Sequence, residues 1–414
     1  MQNSYDNTLK IEKASILKNQ NFLFLWLGAL LSGIAISFFT FSQTWYIVKT
    51  LNLEASLGIV LVATSVPRLL LMIVGGALAD KFPKNRIMVT SNIFRMLLVL
   101  GLILLLQQHT LSLLTFTLFG IMFGILDAFF WSADGSILPE IIRKDQLTEA
   151  NSITQMTNQS SLIIGPIIAG FMIKLGTYET VFTMSAILLL LSAICIFFMK
   201  LPKKEITSDK ETSMLTSIKE GILYVKESPF ISALLFCSVF INLFLIGPMQ
   251  IGFPLFAKNV LNGDSVTFSY LESSVAVGMA IGAIGVVLLR LKKKRGIFCL
   301  TMLLLAGAFF FALSFTSTLW MSLGMGVLFG ISVAAAAIPM MAILQMIVSE
   351  NMMGRVMSLM MLSSMGLIPV SYGLTSIVLY TGIGIQYILA TGAIFVILFA
   401  LYAYISIPAV RNFN

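Results

Sequence analysis

Between Gly75 and Arg86 the chain reads GGALADKFPKNR, and this segment joins two apolar runs, residues 56–79 and 87–107. Asp80, Lys81, Lys84 and Arg86 crowd into the connector, with Pro83 in their midst. About 20 apolar residues suffice to cross ~30 Å of hydrocarbon. A short, charged, proline-bearing link between two such runs is therefore a turn at a membrane surface. Within hydrocarbon each run must be helical, because a helix satisfies its own backbone polar groups there.

Working outward, ten more runs of this kind cover residues 22–48, 111–135, 148–173, 180–199, 230–257, 267–290, 297–315, 319–347, 354–379 and 386–407. The expected fold is an all-α membrane protein of twelve transmembrane helices. Composition agrees: of 414 residues 58% are hydrophobic and 11% charged, where a soluble domain carries about 25% charged residues. His109 and the dispersed Cys195, Cys237 and Cys299 argue against a metal site or a disulfide framework, so no metal and no cofactor is expected. The first run is longer than a signal-peptide core and follows a polar, lysine-containing leader, so no cleavable signal is expected.

The basic residues orient the chain. Of 26 Lys and Arg, 21 fall in the leader, the tail and the loops on the same side as them. The opposite loops hold only Lys49, Lys174 and Lys258, while Arg68 and Arg95 lie within spans. The positive-inside rule places both termini in the cytoplasm of a bacterial cell. It also accounts for the net charge of +8 without any nucleic acid.

The longest polar stretch divides the chain nearly in half, giving a six-helix bundle over 1–200, a linker over 201–228 and a second bundle over 229–414. In the linker Met214, Leu215, Ile218, Ile222 and Val225 make one apolar stripe, as on a helix lying at the membrane surface. The halves echo each other: NFLFLW at span 1 pairs with PFISAL at span 7, and LTEANS at span 5 with MGRVMS at span 11, at nearly equal offsets. Duplicated six-helix units of this kind, here read as pseudo-symmetric bundles, are a transporter architecture.

With these features in place, the chain resembles the major facilitator superfamily. Gly76, Asp80, Lys81 and Lys84 are similar to its cytoplasmic signature G-x-x-x-D-[RK]-x-G-[RK], with Pro83 in place of a glycine, and Arg86 follows in the same loop. GPIIAG, with Gly165, Pro166 and Gly170, resembles the helix 5 motif of exporters, with Ala169 replacing a glycine. GILDAFFWSADGSILPEIIRKDQLTEANS (Gly124 to Ser152) and KEGILYVKESP before span 7 are similar to the macrolide-efflux branch of the drug:proton antiporters. The resemblance implies that Asp80 faces the start of span 11, where Arg355 would join it in a cytoplasmic gate. It also implies export of amphipathic molecules in exchange for protons, with no enzymatic activity.

The residues carry their own chemistry. A carboxylate such as Asp80 is favoured at a helix N-terminus by the macrodipole. In span 5, Asn151, Thr154, Asn158, Ser161 and Gly165 recur every three or four residues and so share one helical face. Pro166 removes a backbone hydrogen bond just beyond that stripe. Arg68, Arg95, Asp127 and Glu272 are charges within spans, each costing ~2.5–3.5 kcal/mol near mid-membrane. Arg95 and Asp127 lie at matching depth on adjacent spans, which predicts an ion pair. Glu272 has no cation at its depth except Arg68 by a long reach. A carboxyl group without a partner in low dielectric binds and releases a proton, which makes Glu272 the first candidate for proton coupling and Asp127 the second. Gln43, Tyr46, Gln155, Asn158, Asn242 and Gln250 on spans 1, 5 and 7, with Asn151, are the candidates to line a cargo cavity.

No phosphate-binding G-x-x-x-x-G-K-[ST] loop is present in the sequence, and no compact set of nucleophile and base suggests an enzyme. The reading is a monomeric, proton-coupled exporter of amphipathic small molecules in the lipid bilayer. Export of an endogenous metabolite such as a siderophore is the alternative, and uptake a more distant one.

Overall fold

The computed structural model describes residues 16–201, 223–226, 228–289 and 294–406. Most of the expected linker, including Met214, Leu215, Ile218 and Ile222, lies outside the described residues. Among the described residues, twelve helices are long and apolar enough to cross a membrane: α1 Gln20–Thr50, α2 Glu54–Lys81, α3 Lys84–Gln107, α4 Leu113–Ile141, α5 Leu147–Leu175, α6 Tyr178–Phe197, α7 Phe230–Asn259, α8 Ser265–Leu289, α9 Arg295–Ser314, α10 Leu319–Ile347, α11 Met352–Tyr380 and α12 Ile385–Ser406. They alternate in direction. The start of α1 and the end of α12 share one face, here the terminal face, and the opposite side is the far face.

The helices form two six-helix bundles. In the first, α1 packs on α5 and α6, α2 on α4, and α3 on α4 and α6. In the second, α8 packs on α10, α9 on α10 and α12, and α7 on α11 and α12. The α2–α4 and α8–α10 crossings correspond, six helices apart, and glycine makes both close. Gly124 of α4 lies against the Thr64 backbone, and Gly278 and Gly330 lie against Val327 and Val275. Small residues let helix backbones approach in a bilayer, where the hydrophobic effect does not press helices together.

Helix α4 runs further than its sequence suggests. The apolar pattern ends near residue 135, yet the helix continues to Ile141 and takes in Pro139 and Glu140. The reason is a neighbour. Lys84, at the start of α3, reaches Glu140 at 2.9 Å and donates to the Ser136 carbonyl at 2.6 Å, so the polar end of α4 is satisfied within the protein.

Two helices are broken where proline withholds an N–H. In α7 the backbone widens over Asn242–Ile246, just before Pro248. In α11 it turns at Gly366 and Leu367, before Pro369. Ser371 of α11 repairs the break in α7: its hydroxyl accepts from the Gly247 N–H at 2.8 Å and donates to the Leu243 carbonyl at 2.6 Å. Neighbouring hydroxyls are how interrupted membrane helices keep their backbones satisfied.

The two bundles meet chiefly through α5 with α8 and α2 with α11, two contacts that exchange under the sixfold shift in helix number. At the far end of α2, Gly58 lies against Ser376 and Tyr372 of α11. Toward the terminal end of the same pair, Gly76 and Gly354 have open space where a side chain would begin. Among the described residues, the two helices therefore touch at the far face and part toward the terminal face.

Candidate functional site

Three features are candidates for the transport machinery. The first is a cluster of charges within the membrane-spanning part of the first bundle. Arg95 of α3 is fully buried; it donates to the Asp127 carboxylate of α4 and, at 3.1 Å, to Asn92 Oδ1. Its guanidinium carbon lies 4.7 Å from the centre of the Phe130 ring, an arrangement that stabilises a cation by the ring quadrupole. Arg68 of α2 joins the cluster at 3.7 Å from the other Asp127 oxygen. Matching depth had suggested Arg95 with Asp127, and the structure brings them together. It also turns Arg68 toward Asp127 and not toward Glu272.

The second feature is Glu272. It lies on α8 one position before Ser273, whose hydroxyl donates to the Ile163 carbonyl of α5 in the other bundle at 3.1 Å. Four residues earlier on the same helical face, Phe268 stacks on Phe41 and Trp45 of α1, with ring centres 4.5 and 5.6 Å apart. Glu272 is thus carried on a face of α8 that packs across the seam. Its Oε2 is buried and has no hydrogen-bond partner among the described residues.

The third is a cavity of about 240 Å³ inside the second bundle, between α7, α9, α10 and α11. Its wall is mainly apolar, with Met340, Met341 and Met360 supplying flexible thioethers. Asn242, Ser238 and Ser364 give it a polar edge, where the two serine hydroxyls lie 2.7 Å apart. Unbranched methionine adapts its shape to what it packs against.

The remaining candidates scatter. Gln43 and Tyr46 are buried, and Tyr46 packs on Phe116 and Tyr178 inside the first bundle, with ring centres 5.5 and 4.9 Å apart. Asn151, Gln155 and Gln250 are exposed and Asn158 is half-buried. Gly165 lies against Ser37 of α1, while Gly170 lies against Ser265 and Ser269 of α8, so the helix 5 motif reaches the seam. Asp80, Lys81 and Arg86 are exposed at the terminal face, and Lys84 is buried against α4. Arg355 is half-buried at the start of α11 and donates to the Met352 sulfur at 3.2 Å.

Two features escaped the sequence reading. Asp134 lies seven residues beyond Asp127 on α4 and so on the same face; that spacing was legible. The other is a set of ties across the far face. Lys258, at the end of α7, donates to Glu54 at 2.7 Å and to Asn52 Oδ1 and the Val48 carbonyl, both at 2.8 Å. Lys174 of α5 meets Asp264, just before α8, at 2.9 Å. Burial pushes the Asp264 carboxyl up, but the hydrogen bonds from Lys174 and Thr267 and the Lys174 charge outweigh it and hold the group below its ordinary value of 3.8.

A model of the Major Facilitator Superfamily matches residues 25–369. The chain belongs to that superfamily. It is a multi-pass transporter of the plasma membrane. The uncharacterised MFS-type transporter YkuC of Bacillus subtilis is 24% identical over 356 residues, covering 82% of this chain and 81% of its own. Macrolide efflux protein A of Streptococcus pyogenes is 21% identical over 304 residues, covering 71% and 72%. Among solved structures, a bacterial homologue of the human lysosomal transporter Spinster, in an inward-facing and unoccupied conformation, superposes with a TM-score of 0.72 at 17% identity, covering 97% of this chain and 98% of its own. The superfamily fold thus accounts for the paired bundles and for a seam that parts at one face.

Proposed function

We propose that this transporter exports amphipathic small molecules in exchange for protons, by alternating access between its two bundles. The observation that carries the reading is Glu272, a carboxyl group with a buried oxygen lacking a hydrogen-bond partner, set on a face that packs across the seam. Away from water, such a group costs least when it carries a proton. Parting of the far face separates α8 from α1 and α5, admits water to Glu272, and lets the proton exchange. A proton then shifts the balance between the two states through its different affinity for each. Asp127, held by Arg95 and Arg68, is the second candidate.

In this reading the terminal face is cytoplasmic, as the positive-inside rule requires. The splayed bundles admit cargo from that side, and the methionine-lined cavity accommodates its apolar part. Asp80 and Arg355 close the cytoplasmic face when the far face opens. Export, as opposed to uptake, rests on the helix 5 motif and on the likeness to the macrolide efflux protein.

The test is transport in cells lacking their own exporters, with a cargo panel of macrolides, other amphipathic drugs and siderophores. Efflux should stop when a protonophore dissipates the gradient while ATP is maintained. Efflux that persists without the gradient and stops on ATP depletion would remove the proton-coupled reading.

A further inference from the structure

The charge cluster of the first bundle is out of balance. Two guanidiniums, Arg68 and Arg95, share the single carboxylate of Asp127. Arg95 takes most of it, through a direct hydrogen bond, and has Asn92 and the face of Phe130 besides. Arg68 is left with a contact of 3.7 Å, too long for a hydrogen bond, and makes none among the described residues. Asp134 does not restore the balance: seven residues on, it lies about 10 Å along α4 from Asp127. The cluster therefore holds one positive charge in excess at a depth where an uncompensated charge is costly.

Arg68 is also the accessible member. Its side chain is 30% exposed, where that of Arg95 is fully buried. It is carried on α2, the helix that meets α11 of the other bundle. Tyr372 and Ser376 mark the far-face contact of α2 with α11, against Gly58. Ten residues along α2 from Gly58, or about 15 Å, Arg68 stands on the side of that contact where the bundles begin to part. A guanidinium presents five N–H donors in a planar fork that fits a carboxylate with two parallel hydrogen bonds.

We infer that Arg68 is the anion-recognising end of the cargo site, and that the cargo is an amphiphile carrying a carboxylate. The inference rests on the export reading for its direction of transport and adds the charge class of what is moved. The carboxylate supplies the counter-charge that the cluster lacks, entering from the splayed face. Arg95 with Asp127 forms the fixed base of the site, and Arg68 is the arm that reaches into the opening. A neutral or cationic amphiphile of the same shape makes no charge-assisted bidentate contact at this point and leaves the excess charge of the cluster uncompensated.

The test uses the intact protein in phosphatidylcholine nanodiscs, with dansylaminoundecanoic acid and its primary amide as probes and empty nanodiscs as the blank for partitioning. The wild type should bind the acid at least about tenfold more tightly than the amide, as a charge-assisted bidentate contact warrants. Arg68→Gln should bind the amide as before and lose the preference, and Arg68→Lys should retain part of it. Equal binding of acid and amide by the wild type overturns the inference, and so does a full preference that survives in Arg68→Gln. Adding phosphatidylglycerol separates the two sources of anion: a preference abolished by that lipid would make the site one for a lipid headgroup and not for cargo. Should the acid preference hold while reconstituted vesicles export neither probe, the export reading falls and the anion site stands.

Discussion

Lys258 and Glu54, 204 residues apart in the chain, meet at 2.7 Å across the two bundles. The same ammonium holds Asn52 and the Val48 carbonyl, and Asn259 donates to the second Glu54 oxygen at 2.9 Å. Three lysines break the pattern of positive charge in the loops, and two of them, Lys174 and Lys258, tie the far face shut. Their presence on the sparsely charged side has a mechanical explanation.

Loosening this tie should favour the state open to the far face. The pair is only partly shielded, with side chains 17% and 28% exposed, so its contribution is ~1 kcal/mol, or about fivefold in population. Spin labels at Thr110 and Thr381 should report a larger share of long distances in Lys258→Ala and in Glu54→Gln. The exchange Lys258→Glu with Glu54→Lys should restore part of the closure. An unchanged distance distribution in both single variants would show that the tie does not control the gate.

The second tie should be insensitive to mild acid. Asp264 is held below its ordinary value of 3.8, so it is ionised throughout the neutral range. Its pairing with Lys174 stabilises the closed face above pH 3.8 and is lost only as pH falls through the lowered value. The same spin-label distances should therefore be alike at pH 7.5 and about pH 5.5 in a Glu272→Gln background. A loss of closure between those values would place the titrating group elsewhere on the far face.

Arg95 and Asp127 should be needed for folding. Removing Asp127 leaves Arg95 as an uncompensated buried charge, at a cost of about 3–5 kcal/mol, while removing Arg95 leaves Asp127 with Arg68 alone, at 3.7 Å. Arg95→Ala and Asp127→Ala should each lower the yield of monodisperse protein on size exclusion, with the double variant recovering some of it. Equal losses in all three would mean that the pair is not the reason.

Glu272 should separate coupling from cargo movement. Glu272→Gln keeps the shape of the protonated acid, so the protein should insert normally. Proton-driven efflux from reconstituted vesicles should fall to background, while exchange of cargo down its own gradient continues. Wild-type proton-driven efflux in that variant would move the coupling role to Asp127.

The sequence alone determined the membrane class, the twelve spans, the placing of charge to one side and the superfamily, because each is written in composition or in local order along the chain. An apolar run of sufficient length has one stable form in a bilayer, and the charged link at Gly75–Arg86 needs no partner to be read as a turn. What required the tertiary structure was the choice of partners. Periodicity reports the faces of one helix and says nothing of which neighbour each face meets. Tyr46, polar at its tip, belongs to the aromatic interior of the first bundle. Ser371, an ordinary hydroxyl in the sequence, repairs the backbone of α7. Arg68 shares the carboxylate of Asp127 and not that of Glu272, and Lys258 finds Glu54. These outcomes depend on how closely glycines let helices cross and on where the two bundles part, and both are properties of helix pairs.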